Sequence, residues 1–130
     1  MSLSNYAENE VLKYLLGKGQ PPVITGAFVA LFDGDPTDAG DQGTEVTLSV
    51  RPTGRIDIST NISVSNGQAS NDSDIDFGVV ANNTNVTHFA FFDGATGGNM
   101  IASGALDEAY ALETNQGFIF RANSVNLTLD

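Results

Sequence analysis

The chain has 130 residues, no cysteine, and five basic residues against sixteen acidic ones, for a formal charge of −11. That length suits one domain with a core able to fold without staples, and the missing thiols exclude disulfides, cysteine-ligated zinc, iron–sulfur clusters and a thiol nucleophile. The acidic balance, with Lys13, Lys18, Arg51, Arg55 and Arg121 scattered, speaks against a nucleic acid or an anionic membrane as partner.

At the start, no basic stretch leads into an apolar one, and no apolar run approaches the roughly eighteen residues a bilayer span requires, so neither a signal peptide nor a membrane helix is expected. Residues 3–16 place Leu3, Tyr6, Ala7, Val11, Tyr14 and Leu15 on one face at helical spacing, with Asn5 and Glu8 set like a cap and its acid. Gly17, Gly19 and the pair Pro21–Pro22 should stop that helix and form a linker, making residues 1–22 an N-terminal unit ahead of a β domain at 23–130, all within one domain. The apolar face either seals the core or grips a neighbouring subunit, which makes Leu3, Tyr6, Val11, Tyr14 and Leu15 the partner-binding candidates.

Beyond Pro22 the period changes to two, and β-forming runs recur at 23–32, 45–50, 55–64, 75–80, 85–92, 99–106 and 117–130, separated by Gly, Asn, Asp and Ser. This pattern predicts a mainly β protein: an antiparallel sandwich or barrel of seven or eight short strands with one N-terminal amphipathic helix. Two strands look alike. Phe28, Ala30 and Phe32 alternate in the first and His88, Ala90 and Phe92 in the second, and both leave through Phe-Asp-Gly, which puts Asp33 and Asp93 in equivalent turn positions.

Asp33, Asp35, Asp38 and Asp41 offer hard oxygens to a calcium ion, but the spacing of an EF-hand loop is absent and Pro36 stands where a ligand is needed. Asp-Gly, Asp-Pro and Asp-Ala-Gly are turn chemistry, so these acids are expected to face solvent around a corner. Asp72, Asp74 and Asp76 alternate and would share one strand face, whose charge a cation could relieve. His88 is the only histidine, sits mid-strand, and has no Gly-x-Ser-x-Gly elbow to serve. No phosphate loop is present, and no carboxylate pair among so many acids singles itself out for glycoside hydrolysis. Neither an enzyme nor a bound cofactor is expected. Asn-x-Ser/Thr triplets at Asn61, Asn71, Asn82, Asn85 and Asn126 read as the surface composition of a β protein.

The opening MSLSNYAENEVLKYLLGKG, the strand and turn FVALFDGDPTDAGDQGTEV, the later VTHFAFFDGATGGNMIASGAL and the close NSVNLTLD resemble small tailed-bacteriophage virion structural proteins, often labelled tail fibre proteins. The likeness covers both ends and the centre. It departs in the middle, where the family has a Gly-Gly-Gly-Tyr-Ala-Arg strand and a tryptophan loop and this chain reads TLSVRPTGRIDIST and DIDFGVVANNTN. It implies a structural protein of the virion, made in the host cytoplasm, with other virion proteins as partners. A compact module without a fibre shaft ranks head decoration (a cement protein on the major capsid protein) above a tail, baseplate or tail-fibre component, as a homo-oligomer, possibly a trimer. A calcium-assisted carbohydrate-binding module is the further alternative.

Overall fold

A computed structural model describes residues 2–20, 24–50 and 54–128; the expected Pro21–Pro22 linker, with the boundary at 22 and 23, lies outside them. A two-residue strand, β1 (Ser2–Leu3), precedes helix α1 (Asn5–Leu15). Ten more strands follow: β2 (Phe28–Asp33), β3 (Thr44–Glu45), β4 (Ile56–Asp57), β5 (Ile62–Ser65), β6 (Gln68–Asn71), β7 (Ile75–Val79), β8 (Thr84–Phe92), β9 (Met100–Leu112), β10 (Gly117–Phe120) and β11 (Asn126–Thr128).

The pairings are antiparallel throughout. One sheet runs β1-β9-β8-β2-β3, with β4 also on β2; β10 pairs β7, and β11-β6-β5 form a third sheet. None closes into a barrel, and the whole is a small β-sandwich with one N-terminal helix. Its core contains Val29 and Leu31 of β2, Val86, Phe89 and Phe91 of β8, Phe77 of β7 and Phe118 of β10.

Strand alternation puts the other residues of β2 and β8 on the opposite face, where Ala30, Phe32, Ala90, Phe92 and Met100 form a second cluster against Phe28. The two look-alike strands are direct neighbours, with Phe28 opposite Phe92, Ala30 opposite Ala90 and Phe32 opposite His88. The expected matching faces are therefore one continuous face. Since the strands run antiparallel, their Asp-Gly exits lie at opposite ends of the pair and do different jobs. Asp93 closes its own loop: Oδ1 accepts the Asn99 backbone N–H at 2.7 Å and Oδ2 the Asn99 side-chain amide at 3.0 Å. Gly98 must lack a side chain there, with φ of 75° and a Cβ position 2.5 Å from Asp93 Oδ1. At the other exit, the Gly34 N–H donates to Thr87 Oγ1 at 2.8 Å.

Several expected elements are resized. The run at 45–50 is a strand only at Thr44–Glu45 plus a bridge from Leu48 to Val80, and the runs at 55–64 and 117–130 each divide into two strands. Strand β6, QASN, has no apolar alternation to betray it; it forms because β5 and β11 pair with it on either side. The helix begins later than its apolar pattern suggests. Ser4 is the N-cap, its hydroxyl accepting the Ala7 N–H at 3.1 Å, while Asn5 is already helical and Leu3 lies in β1.

Candidate functional site

Helix α1 is fastened at its start and bare at its end. Ser2 and Leu3 pair with Ser103 and Ala102 of β9, and the Ser4 N–H donates to the Ile101 carbonyl at 2.8 Å. The Ser4 hydroxyl donates to the Met100 carbonyl, and the Asn5 N–H, one of the donors a helix leaves unpaired at its first turn, reaches the Asp38 carbonyl at 2.9 Å. Ala7 is the only buried residue of the helix.

The acidic turn therefore has a structural use. Pro36 is fully buried, Asp35 Oδ1 accepts the Thr37 N–H at 2.8 Å, Asp41 Oδ1 accepts the Thr37 hydroxyl at 3.3 Å, and Asp38 Oδ1 accepts the Ser2 hydroxyl at 3.1 Å. Asp33, Asp35, Asp38 and Asp41 are all exposed. Among the described residues no three acidic or histidine side chains converge as a metal-ligand set.

Asp72 and Asp74 sit in the turn before β7 rather than on a shared strand face. Asp72 accepts the Ser63 hydroxyl at 2.8 Å; Asp74 accepts the Ala122 N–H and the Arg121 guanidinium, both at 2.9 Å; Asp76 accepts the Gly78 N–H at 2.8 Å. The Ala122 N–H, then Arg121, hold the Asp74 carboxyl below its usual range. His88 is half-buried on β8, with Nδ1 2.8 Å from Thr87 Oγ1. The Thr87 hydroxyl, already accepting from Gly34, thus ties ring and turn together.

Past its first turn the helix stands away from the sheet. Between them runs a groove of about 260 Å³, lined by Leu3, Tyr6, Val11, Tyr14 and Leu15 from the N-terminal segment and by Ile24, Ile101 and Leu127 opposite. All five partner-binding candidates thus line one cavity. Its only charged liner, Glu10, is paired with Lys13 at 2.9 Å. Tyr14 is 60 % and Leu15 69 % exposed. Leu12 and Leu16, which the face pattern omits, are 55 % and 68 % exposed on an adjacent stripe. The signal for them is local: VLKYLL, residues 11–16, is apolar almost all round, which a helix on an aqueous surface avoids. Full burial of each leucine is worth roughly 1.5–3 kcal/mol, so leaving this end in water forfeits several kcal/mol that a partner surface can recover.

Apart from Glu10 and the two tyrosine hydroxyls, the side chains that line the groove are apolar. The sequence pattern of the family described as Podophage GP4 fiber I protein gp80 matches residues 2–128, and the chain belongs to that family. Among curated proteins none matches the sequence. The protein is a structural component of a bacteriophage virion, where it associates with other virion proteins.

Proposed function

We propose that the protein is a non-enzymatic tail-fibre component that joins other virion subunits through the bare end of α1 and the groove beside it. The observation that carries this reading is the helix itself, anchored at Ser4 and Asn5 yet uncovered from Val11 to Leu16, in a chain of a fibre family. A helix that served only to seal the core would bury that stripe. The expected ranking of head decoration over tail is reversed here, because the matching family is described as a fiber protein.

The test is location and dependence together. In purified particles the protein should be found on tails at low copy number and be missing from tail-less heads. A Leu12→Glu/Leu15→Glu chain, folded by circular dichroism, should fail to enter particles. Hundreds of copies spread over heads would instead support decoration.

A further inference from the structure

Resting on that reading of the helix, we propose that the groove is occupied by α1 of a second copy of this chain, the two helices running antiparallel about a two-fold axis. Three observations support it.

The first is shape and polarity. The groove needs an apolar occupant, and the chain carries one: Leu12 and Leu16 stand one turn apart on a stripe that does not line the chain's own groove. Groove and stripe are adjacent on one helix, so each copy can present both to the other, as a self-complementary two-fold interface requires.

The second is the distribution of charge. Within residues 2–20, Glu8 and Glu10 balance Lys13 and Lys18; the rest of the chain holds fourteen of the sixteen acidic residues and only three of the five basic ones. Two copies that meet through the β-sandwich bring like charge together. Through the helix, they meet across a segment whose two acids and two bases balance.

The third is direction. The acids, Glu8 and Glu10, lie in the first half of the helical segment, and the bases, Lys13 and Lys18, lie at or beyond its second half. Antiparallel helices set the acids of one copy against the bases of the other and oppose their dipoles favourably; parallel helices set like against like.

The experiment is sedimentation equilibrium on the full chain, over a range of concentrations, at about 50 and 500 mM salt, since the repulsion between two acidic bodies is screened within a Debye length. The wild type should approach twice the chain mass with rising concentration, and more readily at high salt. Leu12→Glu and Leu16→Glu, both at exposed positions, should sediment as monomers with unchanged thermal unfolding. Glu8→Lys should weaken the dimer, and adding Lys18→Glu should restore it. A monomer under every condition, or an oligomer that ignores the Leu12 and Leu16 changes, overturns the proposal. If the wild type is monomeric but helix variants are still lost from particles, the docking role stands and the second copy falls. If the helix-dependent dimer forms but the variants enter particles normally, the pairing stands and the docking role falls.

Discussion

Arg55 grips Glu45 with two nearly parallel hydrogen bonds, Nε to Oε2 at 3.1 Å and Nη2 to Oε1 at 3.0 Å. Its third nitrogen, Nη1, donates to the carbonyls of Gly94 and Gly97, both at 2.7 Å, and the guanidinium lies 3.7 Å from the centre of the Phe92 ring. One side chain, 7 % exposed, thus holds strand β3, the loop after β8 and the outer face of Phe92. Removing it leaves Glu45 and two carbonyls without a donor. Arg55→Ala should cost about 3–5 kcal/mol, the usual loss when one partner of a sheltered ion pair is deleted. Arg55→Lys should recover little, because an ammonium cannot make the fork or stack flat on the ring. Urea unfolding of the three proteins measures this.

Asn71 provides the second lock. It is fully buried: its Nδ2 donates to the Ser73 and Arg121 carbonyls, each at 2.9 Å, and its Oδ1 accepts the Val125 N–H at 2.9 Å. Asn71→Ala should cost roughly 2–4 kcal/mol, with three hydrogen bonds lost and their partners left behind. Asn71→Asp should be worse, because a carboxylate faces two carbonyl oxygens. The matching substitution at Asn82, in an exposed turn, should leave thermal unfolding unchanged.

Asp74 gives a pH dependence of known sign. Its folded pKa is depressed, so its contribution is present above the ordinary carboxylate value near 4 and fades as pH falls through the folded value. The gap in melting temperature between wild type and Asp74→Asn should be small at neutral pH, because the side chain is exposed. It should narrow further as the pH falls below the ordinary carboxylate value.

The acidic turn should behave as a helix anchor. Ser4→Ala should cost about 1–2 kcal/mol through loss of the cap, and calcium or a chelator should leave the melting temperature unchanged. A rise in melting temperature with calcium, abolished by Asp35→Asn and Asp38→Asn, would falsify the anchor account.

The β class was legible in the period-two runs, and so was the likeness of β2 and β8 in their Phe/His-x-Ala-x-Phe alternation; that the two strands are neighbours was not. The apolar face of α1 was legible as well, and its five candidate residues meet in one groove. Other features could not be read because they depend on distant partners. Ser4 is a cap only because β1 holds Leu3 in the sheet, and β6 is a strand only because two neighbours pair with it. Asn71 looked like surface composition; nothing local marks a polar residue whose three partners lie at 73, 121 and 125. Ile24, Ile101 and Leu127 reach the groove from three separate segments, and no periodicity links them to the helix.

The most direct test of the account is cryo-electron microscopy of phage particles carrying either the wild-type chain or Leu12→Glu/Leu15→Glu. The account predicts wild-type density on the tail with α1 packed into a neighbouring subunit, and no such density for the variant, although the variant is folded in solution. Density over the head, or a wild-type helix that remains bare in the particle, would contradict it.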